Sequence, residues 1–172
     1  LMSENPPLLP VHVISGFLGA GKTTLVRLLS GLYRPGHGRV FLGDRDVGLL
    51  PPDYVREVVA YVPQDTRLFS GTLRDNLILG LPAPTDAALS EACEMTGLSE
   101  VIASHPLGLG LMISEGGLGL SVGQRQLVAL TRALLARPRV LLLDEPSASM
   151  DSRLERRVLG SVFGGCGPST TV

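Results

Sequence analysis

With 172 residues, 44% of them apolar and 18% charged, the chain is long enough to bury a core and too hydrophobic to be disordered. Fifteen basic residues against sixteen acidic ones leave a net charge of −1, which gives no electrostatic footprint for nucleic acid. Cys93 and Cys166 stand at no metal-ligand or redox spacing and read as reduced, cytosolic thiols, and no apolar run approaches the ~18 residues that a bilayer-spanning helix needs.

Pro6, Pro7 and Pro10 make residues 1–10 an extended lead-in. Val11 to Ile14 reads as a short strand that feeds a glycine-rich turn, and a helix follows from Lys22 to about Ser30, with Gly31 as its C-terminal cap. A turn at residues 33–38 precedes a strand from Arg39 to Leu42, a loop from Asp44 to Pro52, a short helix from Pro52 and a strand from Val58 to Val62. Beyond Pro63-Gln64 the pattern turns helical. Helices are predicted over Thr72 to Leu79, from a Thr85 or Asp86 cap through Thr96 to the stop at Gly97, and from Leu98 to Ser104.

A glycine-rich loop from Gly108 to Gly119 leads to Ser121, an N-cap before a long helix in which Leu127, Leu130, Leu134 and Leu135 share a face and which Pro138 ends. Val140 to Leu143, continuously apolar, reads as a buried strand, and a last helix runs from about Ser152 to Phe163. The order implies an α/β fold: one mostly parallel sheet flanked by helices, with a helical lobe inserted after Gln64. The lobes are placed at 1–66 and 138–172 for the core, and 67–137 for the insertion. The ends, Leu1 ahead of Met2 and a β-prone run only beginning at Ser169-Thr170-Thr171-Val172, read as a piece of something longer.

Gly16 to Thr23, GFLGAGKT, fits the phosphate-loop pattern of Gly, four residues, Gly-Lys-Thr. Glycines at 16, 19 and 21 let the backbone close around an oxyanion with its N–H groups inward, and the helix that follows adds its positive dipole end. Lys22 would reach the β- and γ-phosphates, and the Thr23 hydroxyl would hold magnesium. Lys22 is the single lysine among the basic residues, which sharpens the signal. At the end of the later apolar strand, Asp144 would bind the same magnesium through a hard oxygen ligand, and Glu145 is placed to act as general base toward an attacking water.

Together with these, Leu120-Ser121-Val122-Gly123-Gln124-Arg125-Gln126 looks like the signature of ATP-binding cassette (ABC) ATPases. Tyr61-Val62-Pro63-Gln64 resembles the family's glutamine loop, and Ser149-Met150-Asp151 its aspartate loop; the five motifs stand in family order from about Val11 to Phe163. The resemblance implies a P-loop NTPase (RecA-like) core with an inserted signature subdomain, ATP and Mg2+ as ligands, and two cassettes dimerised head to tail around two ATP molecules. It assigns one ATP to Gly16, Gly19, Ala20, Gly21, Lys22, Thr23 and Thr24 of one copy. The partner copy adds Ser121, Gly123 and Gln124, and Asp151 completes the set. Gln64 would join Thr23 and Asp144 at the metal and sense the γ-phosphate, passing the movement to a transmembrane domain of an exporter. The implied location is the cytoplasmic face of the inner (plasma) membrane.

Leu68 to Asn76, LFSGTLRDN, is similar to exporters within the family. His105-Pro-Leu-Gly-Leu followed by Glu115-Gly-Gly is most similar to type I secretion exporters, which move polypeptides out of Gram-negative cells. The chain departs from the family at Val122, where glycine is commoner, and no adenine-stacking aromatic precedes Gly16. The histidine expected after the last helix falls beyond Val172; His12, His37 and His105 read as turn or surface residues. Two other readings stand beside this one. The phosphate loop is also like that of CobW-type metal-chaperone GTPases, although the Asn-Lys-x-Asp guanine motif and the cysteine motif are absent. A non-transport or regulatory ABC-type ATPase is the other, although no heptads lie between Thr23 and Leu120.

Overall fold

The structure, a computed structural model, describes residues 22–144. The strand at 11–14, the glycines of the phosphate loop and the helix expected at 152–163 lie outside the described residues.

Helix α1 (Lys22–Leu29) carries no acidic residue in its first turn and buries Val26 completely. It stops where Gly31 turns left-handed at φ 73°, with its N–H donating to the Leu28 carbonyl. A side chain at Gly31 would be strained there, and its Cβ would stand 3.2 Å from Val47 and 3.3 Å from Val55. The expected strand at 39–42 and the loop after it fold differently. Strand β1 is only Phe41–Leu42, and the expected loop contains β2 (Arg45–Asp46), antiparallel to it across Gly43-Asp44, and a 3-10 turn at Val47–Leu49 capped by the Asp46 carboxylate. A Gly-Asp pair between two short arms makes the compact two-residue hairpin that such sequences favour.

Helix α2 (Pro52–Val58) starts on a proline, whose missing N–H costs nothing at a helix start, and runs directly into β3 (Val59–Val62). Strand β4 (Gly71–Thr72) then leads into α3 (Leu73–Ile78), begun by a capping box between Thr72 and Asp75. Asp75 is held below the usual carboxylate range by its hydrogen bonds from the Thr72 side chain and backbone. Helix α4 (Asp86–Thr96) is capped by Thr85 and ended by left-handed Gly97, and α5 (Leu98–Ser104) follows. The glycine-rich loop holds β5 (Met112–Ile113), which pairs antiparallel with β4, and a 3-10 turn at Glu115–Gly117. Helix α6 (Val122–Leu135) ends three residues ahead of Pro138, and β6 (Val140–Leu143) matches its expected bounds.

Strands β3 and β6 pair in parallel, Val59 with Val140 through Val62 with Leu143. Alternation along this pair separates two apolar clusters. Val62, Leu141 and Leu143 face the larger one, built with Leu68, Leu73, Leu77, Leu89 and the α6 leucines; Val59 and Leu142 face the smaller, built with Val26, Val47 and Val55. Each fully buried leucine contributes about 1.5–3 kcal/mol, so the larger cluster dominates the stability of this part of the chain. The sheet is the wall between α1 on one side and α6 on the other.

Candidate functional site

Asp144 follows β6 with the parity of Leu142, so it belongs to the α1 side of the wall. It is 5% exposed, and its N–H donates to the Val62 carbonyl at 3.0 Å, which extends the parallel ladder by one bond. The Tyr61 hydroxyl, from β3, donates to Asp144 Oδ2 at 3.1 Å. Burial pushes the Tyr61 phenol up, the Arg27 guanidinium opposes this, and the Asp144 carboxylate pushes it up again. Arg27, on α1, is raised by the Tyr61 and Tyr33 hydroxyls, donates to Tyr33 at 3.1 Å and lies 5.5 Å from that ring's centre. A polar chain from α1 through β3 to Asp144 results.

Lys22 and Thr23 open α1; Thr23 is half-buried and Thr24 exposed. Gln64 is exposed two residues beyond β3, and its carbonyl accepts from Gln126 Nε2 on α6. Thr23, Gln64 and Asp144 offer only oxygen ligands, the donor chemistry that suits a hard cation such as Mg2+. Among the described residues no group of three or more His, Cys, Asp or Glu side chains is placed to hold a metal ion.

At the other end, Ser121 caps α6 through a full capping box: its Oγ accepts from the Gln124 N–H at 3.1 Å, and Gln124 Oε1 accepts from the Ser121 N–H at 2.9 Å. Accepting at the oxygen leaves the Ser121 hydroxyl hydrogen able to donate outward. Ser121 is exposed and Gly123 half-buried in the first turn, where N–H groups have no helical partner. Val122, the departure from the signature, is half exposed at the first helical position. Asn76 holds the segment after Gln64 in shape: Phe69 N–H donates to its Oδ1 at 2.9 Å, and its amide donates to the carbonyls of Phe69 and Thr72.

Gly16, Gly19, Ala20, Gly21, Glu145 and Asp151 lie outside the described residues, as does His12. His37 is exposed, and His105 is half-buried, its Nδ1 accepting from the Leu107 N–H at 3.2 Å. A cleft of about 320 Å³ between the end of α1 and the β1–β2 hairpin involves Tyr33, Arg34, Leu50 and Arg56, and no residue assigned to the site lines it. Sequence reasoning missed Tyr61 and Gln126 as members of the site. Both sat inside quoted motifs; the signal for Tyr61 was its place one strand from Asp144, visible only once β3 and β6 are paired.

A family profile described as "ABC transporter" matches residues 10–148, most of the chain and every described element. The chain belongs to the ABC transporter family. Its fold is that family's P-loop NTPase fold of helices on a parallel sheet. A Rickettsia conorii protein named as an export ATP-binding/permease protein is 40% identical over 149 residues, covering 87% of this chain and 26% of that protein. An ABC-type transporter of Aspergillus fumigatus is 40% identical over 142 residues, 81% of this chain and 11% of its own length. Among solved structures, a bacterial Atm1-family ABC exporter with ATP bound superposes with a TM-score of 0.85 at 32% identity, over 96% of this chain and 29% of that one. This ABC chain therefore spans about a quarter or less of the curated relatives it matches. None of its described helices is long and apolar enough to cross a membrane.

Proposed function

We propose that this chain is the ATP-hydrolysing cassette of an ABC exporter, acting as a head-to-tail pair around two ATP molecules. The observation that carries the reading is the buried Asp144 at the end of the parallel ladder, on the α1 side of the sheet, with Gln64 just past the neighbouring strand. Residues from Gly16 to Thr24 grip the phosphates, with Lys22 on the β- and γ-phosphates. Thr23, Asp144 and Gln64 would hold Mg2+, which supplies charge neutralisation at the phosphates. Glu145 takes a proton from the attacking water. Ser121, Gly123 and Gln124 present a capped helix start to the partner copy's nucleotide, and Asp151 lines the same junction.

The lobes are read as 1–66 with 138–172, and 67–137; the smaller apolar cluster lies wholly in the first, and the larger joins the second to the sheet through Val62, Leu141 and Leu143. Export is supported by the names of the relatives, and the transmembrane partner by their ATP-binding/permease composition. Type I secretion rests on His105 to Leu109 and Glu115-Gly-Gly alone, and an adjoining six-helix membrane domain with a polypeptide cargo would test it. The ABC family match sets aside the CobW-type GTPase alternative.

The deciding experiment is Glu145→Gln in the full-length gene product. ATP is retained and a dimer accumulates while turnover falls by about 100-fold or more, the usual scale for loss of a general base. Unchanged hydrolysis removes Glu145 from this role.

A further inference from the structure

Among the described residues, the buried side-chain polar atoms without a hydrogen-bond partner are Thr66 Oγ1, Gln126 Oε1 and Arg132 Nη2. They are not scattered. Thr66 lies two residues past Gln64, and both α6 side chains reach the segment that starts there: Gln126 Nε2 donates to the Gln64 carbonyl at 3.4 Å, and Arg132 Nε to the Asn76 carbonyl at 2.7 Å. Burial also lowers the Arg132 pKa, which marks how far its guanidinium is withdrawn from water. Native interiors carry few such unpaired atoms, so three along one junction single that junction out.

Gln126 is the sharpest case. It is 4% exposed, sits in the second turn of the helix that Ser121 caps, and is followed by Leu127 and Val128 of the larger apolar cluster. An apolar residue of similar length would fill the same space and leave no acceptor unpaired, so packing alone does not account for a glutamine here. What the amide does is hold the main chain of Gln64.

We propose that Gln126 is a positioning residue for ATP turnover. By tying the Gln64 carbonyl to α6, it sets where the glutamine loop leaves β3 and so how far the Gln64 side chain reaches toward the phosphate and its magnesium. The inference rests on the ATPase reading above and adds a residue that touches neither nucleotide nor metal. Its long bond and unpaired oxygen leave the joint able to follow the loop as the loop moves.

The test is a double-mutant cycle in the full-length gene product, with ATP turnover measured across a Mg2+ series for the wild type, Gln64→Ala, Gln126→Leu and the double variant. Nucleotide binding in EDTA stays at the wild-type value for Gln126→Leu, and its thermal midpoint is equal or higher. Its kcat falls about five- to twentyfold and the half-saturating Mg2+ rises. The double variant is within about twofold of Gln64→Ala, because one residue acts through the other. Gln126→Met, of similar length, repeats the measurement if the leucine variant fails to fold. Additive effects, or unchanged kcat and Mg2+ dependence in a folded variant, overturn the proposal, as does a thermal midpoint that falls in step with turnover in both substitutions. A wild type without turnover overturns the ATPase reading and this inference with it, whereas additivity on an active wild type overturns this inference alone.

Discussion

The Tyr61 hydroxyl donates to Oδ2 of Asp144 at 3.1 Å, from the strand beside the one that Asp144 ends. A hydrogen bond to a buried carboxylate contributes about 1.5–3 kcal/mol. Tyr61→Phe keeps the ring against the smaller apolar cluster and removes this donor together with the hydroxyl that Arg27 meets, so the protein loses at least the lower end of that range. Urea denaturation checks it; an unmoved midpoint contradicts it.

Thr96 on α4 and Thr131 on α6, both fully buried, bring their hydroxyl oxygens to 2.7 Å. Each also has a carbonyl of its own helix within reach, Ala92 for Thr96 and Leu127 for Thr131. Thr96→Val or Thr131→Val alone removes the bond between the helices while the other hydroxyl keeps its own-helix carbonyl, and costs about 0.5–1.5 kcal/mol. The double variant costs less than the sum of the two, because both single changes remove the same bond between the helices. Denaturation of the four proteins measures the coupling.

Cys93 is a buried thiol whose pKa burial pushes up to about 11, with Glu94 adding to the rise. A folded value above the ordinary 9.0 means that its contribution to stability is complete below pH 9 and is lost as pH climbs through about 11. The folded chain therefore resists alkylation at Cys93 at pH 8, and denaturing urea exposes it. Cys93→Ser reduces the alkaline loss. Peptide-resolved mass spectrometry and denaturation at pH 8 and pH 10.5 report the two effects.

Local signals carried most of the architecture. Thr72, Thr85 and Ser121 announced helix starts through their own side-chain oxygens, Gly31 and Gly97 announced stops, and the unbroken apolar run at Val140 to Leu143 announced a strand covered on both faces. What stayed hidden was pairing at a distance. Strand β4 finds β5 some forty residues on, and two-residue strands leave no periodicity to read. The β1–β2 hairpin had a visible turn in Gly43-Asp44, but arms too short to count as strands. Tyr61 and Gln126 became members of the site only through the parallel register and the packing of α6 beside Gln64, neither of which is a property of the motifs that contain them.

Just ahead of Ser121, the Arg125 side chain folds back over Gly117, where an added Cβ would stand 2.5 Å from Arg125 Cδ, and its guanidinium donates to the Leu120 carbonyl at 2.7 Å. The backbone at Gly117 is left-handed, at φ 79°, so shape and space together reserve that position for glycine. The approach to the signature is thereby pre-shaped before anything meets it. A surface that closes on Ser121 orders little chain as it does so, and its affinity is set by the fit of the contact and not by the entropy of forming the loop.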